Sequence, residues 1–158
     1  MLKDFEIKTL DEKDLPEMLQ EISDAPAKIY FQGLLPSPET KLLCIVGSRK
    51  YSQYGKDVCE KLISGLRGYN ICIVSGLALG IDGIAHKSAL DAGLKTIAVP
   101  GSGLHESVLY PSSHRQLAEK ILEKIEPGTV STSLLYSVAN LEVISVPDFI
   151  SASMTSTA

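Results

Sequence analysis

Leu42-Leu43-Cys44-Ile45-Val46-Gly47-Ser48-Arg49, Ile71-Cys72-Ile73-Val74-Ser75-Gly76 and Thr96-Ile97-Ala98-Val99-Pro100-Gly101-Ser102-Gly103 are three short apolar runs, each ending in a glycine-bearing turn. Their apolar character is near-continuous rather than alternating, the pattern of strands buried on both faces of a parallel sheet. Between the first two, residues 53–66 place Val58, Leu62, Ile63 and Leu66 at helical spacing, with Gly68 beyond. Between the second and third, residues 80–92 repeat the pattern with Ile81, Ile84, Ala85, Ala89 and Leu90, and Gly93 follows. Residues 112–125 add a third helical pattern on Leu117, Ala118, Ile121 and Leu122. Alternating strands (Leu42 to Val46, Asn70 to Val74, Lys95 to Val99) and helices with short links predict an α/β unit of right-handed parallel crossovers. All three glycine turns then reach one edge of one sheet, where ligands bind in folds of this kind.

Upstream, residues 11–24 read as a short helix stopped by Ser23-Asp24-Ala25-Pro26, and Lys28 to Gln32 as a brief strand closed by Gly33 and the Pro36-Ser37-Pro38 connector. Residues 1–40 are thus expected to be a lead-in, and 41–126 the α/β domain. Residues 127–158 are expected to be a Ser- and Thr-rich tail, in which Leu141 to Val146 has the character of one further strand.

The 158 residues suffice for a single domain with its own core. An apolar fraction of 44% without a run near the roughly 20 residues of a membrane span, and an N-terminus lacking the basic-then-apolar order of a signal peptide, make the cytoplasm the expected location. Cys44 and Cys72 fall in strands expected to be buried and Cys59 in a helix, which suits small hydrophobes better than redox or metal chemistry. No metal site is expected. The net charge of −4 is uneven: −5 over residues 1–40, +3 over 41–126 and −2 over 127–158. The loop-bearing middle is therefore mildly basic, and local placement decides phosphate affinity more than the total does.

Gly47-Ser48-Arg49 combines a sharp turn, a hydroxyl and a guanidinium whose planar fork suits phosphate, with Lys50 next to it. Ser75-Gly76 with Gly80 opens the second helix, whose N–H groups and positive dipole end would form an anion cradle. Asp82 has two readings, a cap in the first helical turn or a ligand contact. His86, one turn later, is either a packed histidine or a ligand contact. Neither Gly-x-Gly-x-x-Gly nor a phosphate-binding Gly-x-x-x-x-Gly-Lys-Ser/Thr loop occurs, which disfavours dinucleotide-dependent redox enzymes and NTPases, and no Gly-x-Ser-x-Gly elbow occurs.

At these residues the chain resembles a known family. Ile45-Val46-Gly47-Ser48-Arg49, Val74-Ser75-Gly76-Leu77-Ala78-Leu79-Gly80-Ile81-Asp82 with Ala85-His86, and Gly101-Ser102-Gly103-Leu104 with Tyr110-Pro111 look like the DNA-processing protein A (DprA, or Smf) family. Asp24-Ala25-Pro26 with Ile29-Tyr30 and Gly33 resembles its lead-in. The resemblance, over about residues 15–128, implies a Rossmann-like three-layer α/β/α fold with a mainly parallel sheet. It implies a non-catalytic, cofactor-free protein that binds single-stranded DNA during natural transformation, helps load the RecA recombinase and forms a homodimer, with no membrane partner. It would place Gly47, Ser48, Arg49, Ser75, Gly76, Gly80, Gly101, Ser102 and Gly103 around a phosphate pocket, with Lys50, Asp82, His86 and Arg115 as further contacts.

After Pro127-Gly128-Thr129 the family's Asn-Phe-Pro-x-Arg-Asn-Arg segment and Ser-Gly-x-Leu-x-Thr-Ala helix start are missing. That departure implies a shortened or frame-altered chain with a half-built crevice and weaker DNA binding. The family also supplies arginines that this chain replaces only with Arg49, Lys50, Lys87 and Arg115, beside Tyr51, Tyr54 and Tyr110. The alternative is a small-nucleotide sensor or nucleotide phosphoribohydrolase-like enzyme. For it the third turn departs from Pro-Gly-Gly-x-Gly-Thr, and only Asp82 and Glu106 are candidates for the acid–base carboxylate.

Overall fold

A computed structural model describes residues 4–15, 20–21, 23, 25–123 and 133–137. The three apolar runs form β3 (Lys41–Cys44), β4 (Ile71–Ser75) and β5 (Lys95–Ala98), paired in parallel with Leu43 opposite Ile73 and Ile73 opposite Thr96. The intervening helices are α1 (Gln53–Gly65), α2 (Ile81–Ala92) and α3 (Arg115–Glu123), the last preceded by a 3-10 turn at Ser112–His114. The α/β Rossmann-like class expected from the sequence is the one observed.

Two strands were not anticipated. β1 (Lys8–Asp11) lies antiparallel to β2 (Lys28–Gly33), and the chain leaves it through a 3-10 turn at Glu12–Asp14. The helix expected over 11–24 is therefore corrected at its start, and residues 16–19, 22 and 24 lie outside the described residues. The physical reason is tertiary: Glu12 N donates to Ala27 O at 3.1 Å, tying the segment to β2 before a helical turn can propagate. β6 (Ser133–Ser137) falls in the stretch read as tail. It runs parallel to β5 and antiparallel to β2, giving a six-stranded sheet ordered β1-β2-β6-β5-β4-β3. The strand expected at Leu141 to Val146 lies outside the described residues.

Each parallel step from β3 to β6 advances by one strand in the same direction, so crossovers of one hand carry all three helices to one face. The side-chain register agrees. Leu43, Ile45 and Ile73 pack with α1 and α2 around Cys59, Ile63, Ala85 and Ala89, while Ala98, on the same face as Thr96, packs with Leu117, Ala118, Ile121 and Leu122 of α3. Among the described residues the helices thus form a single layer.

β3 occupies an edge of the sheet, which corrects the expectation that its cysteine is buried: Cys44 is exposed, and Leu42 is 59% exposed. α1 leans over the same edge, so its buried side is Cys59 and Ile63, while Val58 and Leu62 stay open. Cys59 and Cys72 are buried, and burial pushes their thiols up to about 11 and about 12, consistent with inert packing roles.

Candidate nucleic-acid interface

The loops after β3, β4 and β5 converge at the carboxyl end of the sheet, around an open cavity of about 380 Å³. Arg49 comes from the first loop, Gly76, Ala78 and Leu79 from the second, and Gly101, Ser102, Tyr110 and Pro111 from the third. Within the described residues the strand order shows no reversal beside β3, so this cavity is a meeting of three loops rather than a switch-point crevice.

The first loop is braced on itself. Ser48 Oγ donates to Lys50 O at 2.8 Å and accepts from Lys50 N at 3.1 Å, which spends the hydroxyl on the turn and leaves Arg49 projecting. Arg49 and Lys50 are exposed and have no ion-pair partner among the described residues. Loop one rests directly on the start of α2: Ile81 N donates to Ser48 O at 3.3 Å. Gly80, with φ +86°, allows this approach, because a Cβ there would meet Ser48 O and lie 2.7 Å from Arg49 Cα.

The second loop turns inward on Asp82. Its Oδ2 accepts from Gly76 N at 3.2 Å and from Ala78 N at 3.4 Å, and the residue is only 6% exposed. Burial raises its pKa, while the backbone N–H groups of Ala78, Gly47 and Gly76 oppose the shift. The Ser75 hydroxyl lies close enough to favour the ionised form as well, although it meets full hydrogen-bond geometry with no partner among the described residues. Between the two backbone donors, Leu77 adopts a left-handed conformation at φ 59°, and its carbonyl accepts from His114 Nδ1 at 2.9 Å. That bond fastens the second loop to the segment entering α3.

These contacts narrow the expected cradle. The N–H groups of Gly76, Ala78 and Ile81 are satisfied within the protein, so they are not free for an anion. Asp82 is an acid in the first turn of α2 whose carboxylate is bonded to the preceding loop, and it is not among the residues lining the cavity. His86 is also corrected: it is fully buried, and its Nδ1 donates at 2.7 Å to Thr96 Oγ1, whose own proton goes to Ile73 O at 2.9 Å. Burial holds its pKa down at about 3, so it is a neutral core residue and not a wall of the cavity.

In the third loop Ser102 Oγ accepts from Tyr110 N at 3.0 Å, closing the loop that displays the tyrosine. Gly103 backs onto Val108, and Arg115 starts α3 with its Nε buried and without a hydrogen-bond partner among the described residues; neither lines the cavity. Leu79, Tyr110 and Pro111 do line it. Tyr110 is 65% exposed, Tyr51 46% and Tyr54 78%, enough to offer ring faces to a ligand. Among the described residues no group of three or more His, Cys, Asp or Glu is placed to hold a metal ion, and no helix is long and apolar enough to cross a membrane.

The family model described as DNA recombination-mediator protein A matches residues 6–140. Among curated proteins, DNA processing protein DprA of Streptococcus pneumoniae is 44% identical over 106 residues, covering 67% of this chain and 36% of that protein. Protein Smf of Escherichia coli is 37% identical over 114 residues, covering 72% and 30% respectively. The X-ray structure of DNA processing protein A from Streptococcus pneumoniae superposes with a TM-score of 0.70 at 34% identity, over 87% of this chain and 47% of that one. A Helicobacter pylori DNA processing protein A, studied for its single-stranded DNA binding mode, shares the fold with a TM-score of 0.65 at 24% identity, over 96% and 64%. The chain spans about a third of the length of the Streptococcus pneumoniae and Escherichia coli proteins.

Proposed function

The chain belongs to the DNA recombination-mediator protein A family, and from that premise we propose that it binds single-stranded DNA without cleaving it, in the uptake and recombination of DNA. The observation that carries this reading is the convergence of three loops on a guanidinium, Arg49, that has no ion-pair partner among the described residues, beside the exposed Tyr110 at the sheet's carboxyl end. A cation on a flexible phosphate chain supplies affinity, and aromatic faces accept bases without regard to sequence. Arg49 takes a backbone phosphate; Lys50 extends the basic track; Tyr110 stacks on a base across the cavity. Gly47, Ser48, Gly76, Gly80, Gly101 and Ser102 serve by shaping the loops. By the same family logic the setting is cytoplasmic, RecA is a protein partner, and the active form is a homodimer.

The nucleotide-hydrolase alternative needs a carboxylate at the cavity. Asp82 is turned away behind Gly76, and Glu106 is not among the lining residues, which favours binding over glycosidic cleavage.

The test is a fluorescence-anisotropy titration of labelled oligo-dT at two salt concentrations, native against Arg49→Ala. Saturable binding that weakens with salt is expected, with lower affinity and a salt slope smaller by about one in the variant. Absence of binding at low salt by a chain with native circular dichroism would overturn the proposal.

A further inference from the structure

Asp82 lies directly behind the cavity wall. Its Oδ2 is 3.2 Å from the N of Gly76, which lines the cavity, and a Cβ on Gly76 would sit 2.7 Å from the same oxygen. The Gly76 backbone thus stands between the carboxylate and the cavity. The carboxylate also holds the Gly76 and Ala78 N–H groups, and the Ile81 N–H is held by Ser48 O. As an acid in the first turn, Asp82 also offsets the positive end of α2 from inside the protein. In front of the wall, Arg49 is the one charged side chain among the described lining residues.

This charge arrangement has a consequence for the ligand. A phosphodiester carries one negative charge, which Arg49 matches. A phosphomonoester carries nearly two near neutral pH, and the second would face the buried carboxylate with no further charged side chain in the described lining to meet it. A helix start welcomes a dianion through its dipole; here the Asp82 carboxylate in the first turn opposes the second negative charge.

We infer that the three-loop cavity selects singly charged phosphodiesters over doubly charged phosphomonoesters, with Asp82 as the positioning residue that both shapes the second loop and excludes the second charge. The inference rests on the DNA-binding reading and sharpens it. The ligand is the interior of a nucleic-acid strand, and free nucleotides and 5′-phosphorylated ends are poor occupants.

The experiment displaces labelled oligo-dT from the full chain with two competitors of nearly equal size, thymidine 5′-methylphosphate, a diester, and thymidine 5′-monophosphate. The diester should compete at about tenfold lower concentration, the order expected for one unit-charge repulsion across a short, partly solvated gap. Asp82→Asn keeps an oxygen for the Gly76 and Ala78 N–H groups and removes the charge; it should bring the two competitors within about twofold of each other. Equal competition on the native chain, or a preference for the monoester, would overturn the inference while leaving strand binding intact. A folded Asp82→Asn chain that keeps the full preference would overturn the assignment to Asp82. If the Asp82→Asn chain does not fold, the native comparison still decides the selectivity, and Arg49→Lys, which keeps the charge balance, should retain the preference. If the native chain fails to bind oligo-dT, the DNA-binding reading falls instead. Saturation-transfer NMR with the two nucleotides alone then reads the selectivity directly.

Discussion

Replacing Gly80 by alanine tests the contact on which the interface is built. Gly80 has φ 86° and ψ −132°, a conformation costing a side-chain-bearing residue about 1–3 kcal/mol. The added Cβ would also press on Ser48 O and lie 2.7 Å from Arg49 Cα and 2.8 Å from Arg49 O, all backbone atoms that cannot rotate away. Overpacking of that kind adds about 1–3 kcal/mol. The total of about 2–6 kcal/mol is a large part of the roughly 5–15 kcal/mol that holds a typical domain together. Gly93→Ala separates the two contributions, because Gly93 has φ 74° but no heavy atom within 4 Å of the place a Cβ would take, leaving about 1–2 kcal/mol of strain alone. Gly65→Ala, at the exposed end of α1 with ordinary φ and open space, should stabilise by about 0.5–1 kcal/mol. Urea unfolding followed by far-ultraviolet circular dichroism ranks the three, and oligo-dT titration of the folded fraction reports on Arg49. The expected order of stability is Gly65→Ala, native, Gly93→Ala, Gly80→Ala, with strand affinity reduced only in the last. A Gly80→Ala chain no less stable than Gly93→Ala would refute the close approach of the first loop to α2.

Further outcomes follow from the buried polar groups and a helix cap. His86 has a folded pKa of about 3, below its unfolded value of about 6.5. The folded state therefore binds fewer protons, and the histidine's contribution is fully present above about pH 6.5 and lost as pH falls toward 3, by about 1.4 kcal/mol per pH unit. Asp82, whose pKa burial raises, acts with the opposite sign. Comparison with His86→Leu therefore isolates the histidine: between pH 7.5 and 5 the native chain should lose about 2 kcal/mol more than the variant in urea titrations. Thr96→Val should cost about 1–3 kcal/mol by leaving the His86 Nδ1–H without its acceptor, measurable as a lower thermal midpoint. Ser52 Oγ caps α1 by accepting from Gly55 N at 3.1 Å, so Ser52→Ala should cost about 1 kcal/mol in the same assay, without changing strand affinity.

The apolar runs of β3, β4 and β5 and the helical spacing between them were legible because burial against neighbouring elements writes a period into the chain. So was the meeting of three glycine turns at one edge, since parallel crossovers leave no other arrangement. β1 and β6 were not. Lys8-Thr9-Leu10-Asp11 and Ser133-Leu134-Leu135-Tyr136-Ser137 owe their extended form to ladders with β2 and β5, which no local spacing encodes. Asp82 was ambiguous for a related reason. An acid two residues into a helix can face outward to a ligand or back to the preceding loop, and the left-handed backbone of Leu77 decides it by bringing the Gly76 and Ala78 N–H groups to one oxygen. Tyr110 and Leu79 line the cavity only because the loops fold over it. The exposed end of β3 escaped notice because an apolar strand at a sheet's margin reads like one at its centre.

β6 is the sole ladder joining the β1–β2 pair to the rest of the described sheet, and Ile29 finds its partner in Ser137. From β3 to β5 every strand neighbours the next one made, whereas β2 must wait for a partner translated long afterwards. A ribosome emits the β1–β2 hairpin before the strands it will join, and a two-stranded hairpin alone is marginal in water. The order of synthesis and the order of assembly therefore run in opposite senses at this margin. A chain stopped before Ser133 would retain every loop of the cavity and still leave its first two strands without a seat.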